Sequence, residues 1–286
     1  MLYTDDAPSF QKKGFLEEEF RLFHIRDHSR RSYDFHYHDF LKIMVLLEGR
    51  VDYVIEGRSY TLAPYDLVLV DRGEIHRPEV DPSFPYERTI LYLSPDFMEQ
   101  SGVSLNTCFQ TAAYRHSSVL RIKDDARQPL FSLLRRLEKA IQHQKEEFAG
   151  PLYVRLLCLE FLVELNRVCL APASQYLASG SLDYRVSGLI AYINEHLSED
   201  LSIPLLSDRC CLSPYHMMRI FKEETGYTIG SYITEKRLMR ARDLLSGGMG
   251  ATETCFMCGF RNYSTFLRAY KRRFEELPRR SLKNQG

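Results

Sequence analysis

The last third of this chain writes one pattern twice. Arg219-Ile220-Phe221-Lys222 returns 49 residues later as Arg268-Ala269-Tyr270-Lys271, and at the same offset Met217 matches Phe266 and Ser213 matches Asn262. Ser and Asn both cap helix N-termini well, because the side-chain oxygen accepts from an otherwise unpaired backbone N–H. A short helical stretch and a tight connection precede each copy, Cys210-Cys211-Leu212 in one and Gly259-Phe260-Arg261 in the other. A short helix, a tight turn and a second helix with polar residues on its first turns describe a helix-turn-helix.

The residues around the repeat agree with an all-helical region from Tyr184 onward. Helices are expected over 186–197, 203–210, 214–224, 229–245, 251–258 and 263–274. Ser202 is placed to cap the second, with Pro204 in its first turn, and Gly226 and Gly247-Gly248 stop the third and fourth. The long helix over 229–245 joins the two units and sets two recognition helices in tandem.

Charge at first argues against a nucleic-acid partner. The 286 residues carry 38 Lys+Arg and 38 Asp+Glu, where a basic excess is usual for such a partner. The balance conceals a split: residues 181–286 are net +4 and residues 1–180 net −4, and 261–283 holds eight basic residues against two Glu. With 44% hydrophobic and 27% charged residues, the chain can fill cores, so disorder is excluded as its main state. Seven scattered Cys fit reduced thiols in a cytoplasmic protein. No basic start with an apolar segment marks a secretory signal, and the most apolar stretch, 156–170, is broken by Glu160, Glu164 and Arg167.

Residues 15–95 read as strands: KIMVLLEG, VDYVIEG, RSYTLAP, DLVLVDRG and RTILYLSP are separated by turn signals, as in antiparallel sandwiches and small barrels. The texture changes near residue 124. Leu130, Leu133, Leu134, Leu137 and Ile141 lie at helical spacing, Gly150-Pro151 breaks the run, and a second helix covers 152–170. This αα-hairpin either covers the strands or forms a dimer interface. Residues 171–183, APASQYLASGSLD, read as a linker.

The C-terminal part resembles the AraC/XylS family of transcription regulators. The resemblance is carried by L-S-P-Y-H-M-M-R-I-F-K-E-E-T-G at 212–226, Y-I-T-E-K-R-L-M-R-A-R-D-L-L at 232–245 and C-G-F-R-N-Y-S-T-F-L-R-A-Y-K at 258–271. The second unit departs from the family pattern. Ala251, Thr254 and Cys255 stand where Ile, Ile and Ala are usual, Glu275 replaces a glycine, Leu277-Pro278 a Thr-Pro pair, and Ser281-Leu282 the closing Tyr-Arg. The N-terminal part is similar to the cupin-type effector domain of one branch of that family, through His36-Tyr37-His38-Asp39-Phe40, the Gly49 turn, 53–57, 63–70 and Ile75-His76-Arg77-Pro78.

What the resemblance implies is an α+β multidomain protein: a cupin-like β-barrel (1–122), a helical hairpin that dimerises (123–172), a linker (173–183) and a tandem helix-turn-helix domain (184–286). It is a DNA-binding regulator and not an enzyme. Its expected partners are double-stranded DNA, a small-molecule effector such as a sugar, a second copy of the chain and RNA polymerase, with no membrane. In helix-turn-helix proteins the second helix lies in the major groove with its first turns against base edges. The positions that match are Tyr215, His216, Met218 and Arg219 in the first unit and Tyr263, Ser264, Thr265 and Arg268 in the second. Arg219 suits bidentate pairing with guanine, its alternative being an ion pair within the helices. Leu267 is unusual for a base reader and points to a looser second site. Lys222, Lys271, Arg272 and Arg273 fit phosphate contacts.

In the barrel, His36, His38, Lys42, Tyr53, His76 and Arg77 are the expected effector residues, with Tyr92 as a further companion. His36 and His38, two apart on a strand, would face one side. Three imidazoles suit a transition metal, but Lys42 stands where the metal-binding cupin motif carries Glu, and an ammonium repels a cation. No metal or cofactor is therefore expected, and a metal-dependent cupin enzyme fused to a DNA-binding domain is the lesser alternative. The other alternative is a regulator controlled by a partner protein. Cys255-Phe256-Met257-Cys258 is a C-x-x-C, read here as buried filler rather than a redox or metal sensor.

Overall fold

The structure, a computed structural model, describes residues 16, 18–27, 33–99, 103–122, 124–171, 174–181 and 184–279. Ser281-Leu282 and Lys283, and residues 172, 173, 182 and 183 of the expected linker, lie outside the described residues. The chain divides into two compact units, Met1–Gly180 and Ser181–Gly286.

The first unit opens with seven strands, β1 (Phe20–Asp27), β2 (Leu41–Glu48), β3 (Val51–Ile55), β4 (Arg58–Leu62), β5 (Leu67–Val70), β6 (His76–Val80) and β7 (Tyr86–Leu93). Two short helices follow, α1 (Pro95–Glu99) and α2 (Thr107–Tyr114), then β8 (Val119–Arg121) and the hairpin helices α3 (Asp124–His143) and α4 (Gly150–Leu170). Two very short strands, β9 (Gln175–Tyr176) and β10 (Gly180–Ser181), close the unit. One sheet runs β1-β7-β2-β5-β8-β9 and the other β10-β4-β3-β6. The Glu56-Gly57 signal becomes a two-residue hairpin loop with both residues at positive φ (49° and 73°), which joins Ile55 to its partner Arg58. That backbone matches the twist of the flanking strands.

Two cores explain why β2 is apolar without alternation. Its Met44 and Leu46 point between the sheets, against Val51, Tyr53, Ile55, Tyr60 and Leu62. Leu41, Ile43 and Val45 point the other way, against Leu130, Leu137, Leu157, Phe161 and Leu165 of the helices. Each such fully buried side chain contributes about 1.5–3 kcal/mol. The expected all-β region and αα-hairpin are both present. The hairpin packs on the six-stranded sheet through one face of α4 and leaves Leu152, Leu156, Val163 and Leu170 exposed. Two features escaped the sequence. Helices α1 and α2 are too short to show a period, and the stretch that composition marked as linker carries β9, paired with β8, and β10, beside β4.

The second unit is six helices: α5 (Tyr184–Glu195), α6 (Ile203–Cys210), α7 (Pro214–Thr225), α8 (Ile229–Ser246), α9 (Ala251–Met257) and α10 (Tyr263–Phe274). The sequence repeat is a structural repeat. Ser213 accepts from the His216 N–H and Asn262 from the Thr265 N–H, so both copies are capped alike. Met217 and Phe266 are fully buried at matching positions. Both helices end in the left-handed conformation, at Gly226 (φ 74°) and Glu275 (φ 60°), whose N–H groups bond the Lys222 and Lys271 carbonyls. Ser202 stands at the N-cap of α6 in extended conformation, yet its side chain makes no cap hydrogen bond. Thr254, the first polar departure in the second unit, is fully buried with its hydroxyl unpartnered among the described residues.

A junction ties the second helix-turn-helix to the start of the unit. Gly259 (φ 81°), in the α9–α10 turn, lies so close to the end of α5 that a Cβ there would sit 2.3 Å from the Leu197 carbonyl oxygen. Arg237 of α8 donates to the Leu197 and Glu199 carbonyls at 2.8 and 2.7 Å. Only glycine fits both the backbone conformation and the space.

Candidate effector pocket and nucleic-acid interface

In the first unit the two sheets bring five of the six expected effector residues together. Lys42 points between the sheets from β2 and donates to the Tyr53 hydroxyl of β3 at 2.8 Å and to His76 Nε2 of β6 at 3.4 Å. The His76 ring lies 4.2 Å from that of His36 and 4.9 Å from that of His38, centre to centre. The backbones of His36 and His76 also exchange both hydrogen bonds, at 3.1 and 2.9 Å. His36 and His38 do not share a strand face as expected. His36 forms an isolated bridge and is exposed at the rim, while His38 is 4% exposed and stacks on Phe40.

All three imidazoles are held in one tautomer. Nδ1 of His36, His38 and His76 contacts the carbonyls of Asp34 (2.9 Å), Phe40 (2.7 Å) and Glu74 (2.9 Å). A carbonyl only accepts, so each Nδ1 carries the proton and each Nε2 is left as an acceptor. His76 Nε2 meets Lys42, and His38 Nε2 is buried without a partner among the described residues. Burial, then the Lys42 charge, pushes His38 and His76 well below the usual imidazole range. Burial, with the Arg88 charge adding to it, pulls Lys42 down to about 7. Burial raises Tyr53 well above its ordinary value and Tyr92 to about 12. No described group of three His, Cys, Asp or Glu side chains is disposed to hold a metal ion.

Arg77 is not part of this cluster. Strand alternation turns it to the other face of β6, where it pairs with Glu79 and stacks 4.2 Å over the Phe35 ring. The sequence reading missed Arg88 of β7, which is buried between the sheets and donates to Asp27 at 3.0 Å. Its signal was parity: in YERTILYL, Arg88 shares the inward face with Tyr86, Ile90 and Tyr92.

In the second unit the expected base-reading side chains of α7 share its outer face. Tyr215 is 76% and Met218 41% exposed, Arg219 is exposed and His216 half-buried. Arg219 makes the alternative ion pair, its Nη1 donating to both Glu223 oxygens at 2.9 and 3.0 Å, and its Nη2 lies 3.3 Å from His216. An exposed pair four residues apart on a helix contributes only about 0.3–0.5 kcal/mol, so it can open to a stronger acceptor. On α10, Tyr263, Ser264, Thr265 and Arg268 are all exposed, and Leu267 is half-buried. Thr265, Arg268 and Arg272 line an open groove of about 880 Å³ with Arg237 and Arg261.

Lys222, Lys271 and Arg272 are exposed. Arg273 differs: its side chain is 15% exposed and donates to Glu235 of α8 at 3.1 Å, so it braces α10 against α8 rather than facing outward. Helical periodicity alone could have shown this, since Arg273 is three residues on from the buried Tyr270. Cys255 and Cys258 are fully buried, and burial raises both thiols, Cys258 to about 11.

Residues 21–156 match the AraC-like ligand binding domain and residues 206–284 a helix-turn-helix domain. The HTH-type transcriptional activator RhaS of Escherichia fergusonii is 27% identical over 245 residues, covering 85% of each chain. That of Citrobacter koseri is 27% identical over 248 residues with the same coverage. A ligand-binding domain followed by paired helix-turn-helix units defines a class, a DNA-binding transcription regulator and not an enzyme. The chain belongs to the AraC family of such regulators. Among solved structures, a probable AraC family transcriptional regulator from Rhodopseudomonas palustris is 27% identical, covering 34% of this chain and 92% of that one at a TM-score of 0.32.

Proposed function

We propose that this regulator senses a sugar or related polyhydroxylated metabolite between its two sheets and reads DNA with α7 and α10. The observation that carries the first part is the buried set of Lys42, Tyr53, His38 and His76, polar groups with donors and acceptors converging inside an otherwise apolar core. In this reading residues 1–122 sense, 123–172 dimerise, 173–183 connect and 184–286 bind DNA. Tyr215, His216, Met218 and Arg219, with Tyr263, Ser264, Thr265 and Arg268, face base edges, and Lys222, Lys271 and Arg272 hold phosphates. The two helices enter successive major-groove segments about 34 Å apart.

A homodimer is supported by the unburied face of α4. Leu156, Val163 and Leu170 are exposed at heptad spacing, flanked by Glu160 and Arg167. In an antiparallel pairing about Val163, Leu156 meets the partner's Leu170 and Glu160 meets the partner's Arg167. Contact with RNA polymerase and a cytoplasmic location follow from the role of a transcription regulator. No described helix is long and apolar enough to cross a membrane.

The test is selection of binding sites from random DNA by the full-length protein, followed by titration of the enriched site with and without sugars. Two short conserved blocks about one helical turn apart are expected, with an affinity that a sugar changes. Enrichment without any common sequence would overturn the base-reading role.

A further inference from the structure

The Lys42 cluster has an unusual pairing pattern. Lys42 is 6% exposed, and the groups facing it are Tyr53 from β3, His76 from β6, His36 and His38 from the segment before β2, and Tyr92 and Arg88 from β7. None of these is an anion. The nearby carboxylate, Asp27, is committed to Arg88 at 3.0 Å. A buried ammonium therefore has only neutral acceptors, and the tautomer lock leaves His38 Nε2 as a buried acceptor with no donor. The cluster is complementary to a ligand that brings an anion and a hydroxyl donor side by side.

Resting on the reading that this is the effector site, we infer that the effector is a 2-hydroxy carboxylate of the sugar-acid class, its carboxylate held by Lys42 and its hydroxyl donating to His38. A neutral sugar satisfies His38 but leaves the ammonium without a counter-charge. A simple carboxylate satisfies Lys42 but leaves His38 bare. A 2-hydroxy acid places the two groups on adjacent carbons. Lys42, pulled down to about 7 in the free protein, takes up a proton when the carboxylate arrives above that pH. Affinity is then greatest below pH 7 and weakens by up to tenfold per unit above it.

Full-length protein labelled with ¹⁵N-histidine would be titrated with racemic glycerate, propionate and propane-1,2-diol, small probes that separate the two groups without demanding a particular sugar stereochemistry. Glycerate is expected to shift the His38 Nε2 resonance saturably and to bind at least tenfold tighter than either control. Glycerate binding should weaken from pH 7 to pH 9 and be lost in Lys42→Met and weakened in His38→Phe. Calorimetry in buffers of different ionisation enthalpy should show proton uptake at pH 8. Propane-1,2-diol or a neutral aldose shifting His38 as strongly as glycerate would overturn the acid class and leave the effector site standing. No shift from any acid or sugar would overturn both.

Discussion

Lys42→Met tests the electrostatics of the first unit directly. In the unfolded chain Lys42 titrates at its ordinary 10.5, and in the fold at about 7. Between those values the unfolded chain binds more protons, so stability rises with pH through that window, at up to about 1.4 kcal/mol per unit. The cost of burying the amine is thus roughly 4–5 kcal/mol at pH 7 and nearly gone at pH 10.5. Methionine fills a similar volume without charge but removes the donor to Tyr53, a loss of about 1–3 kcal/mol. The variant should be about 2–4 kcal/mol more stable at pH 7, and no more stable than the parent near pH 10.5. Tyr53 and Tyr92 titrate higher in the fold than unfolded, which lowers stability above about pH 10 in both proteins and cancels in the difference. Urea titrations followed by far-UV circular dichroism from pH 6 to 10.5 measure it. A stability difference that does not change with pH would refute the argument.

Three further outcomes are expected. Arg219→Ala should weaken binding to a selected site by about 1–3 kcal/mol and relax preference at one position, while unfolding moves by less than about 0.5 kcal/mol because only the exposed Glu223 pair is lost. Affinity equal to the parent on a fixed probe would remove Arg219 from the base-reading set. Val163→Glu should raise the dimer dissociation constant roughly tenfold or more in sedimentation equilibrium, since it opposes two charges across the proposed two-fold axis; an unchanged dimer would show that α4 is not the seam. Glu275→Gly should stabilise the second unit by about 1 kcal/mol in thermal unfolding, because a side chain in the left-handed region is strained there. A lower melting temperature would mean that contacts made by Glu275 outweigh the strain.

Much of this molecule was legible because its signals are local. The bounds of α6 and α10 follow from the repeat, Pro204, Asn262 and the apolar stripe. Lys42, Tyr53 and His76 could be grouped because they fall on inward parity of strands that pair. What escaped depended on contacts distant in sequence. Arg77 lies next to His76, yet pleating sends it to the opposite face. The role of Arg88 needs Asp27 on β1, 61 residues away, and Arg273 is claimed by Glu235, 38 residues back. The strands β9 and β10 have only two residues each, which composition reads as linker because their structure is imposed by the sheets they join.

The close approach of Gly259 to Leu197, held by Arg237, bears on the DNA as much as on the protein. It fixes the turn ahead of α10 to the end of α5 and to the long helix α8, so the two recognition helices share one frame and have no hinge of their own. One base pair inserted between the two stretches they read would displace the second by about 3.4 Å and rotate it by roughly 34–36°. A jointed reader follows such a change by bending at its connection. This one must bend the DNA or give up its second contact, so the spacing within a site becomes part of the sequence it recognises.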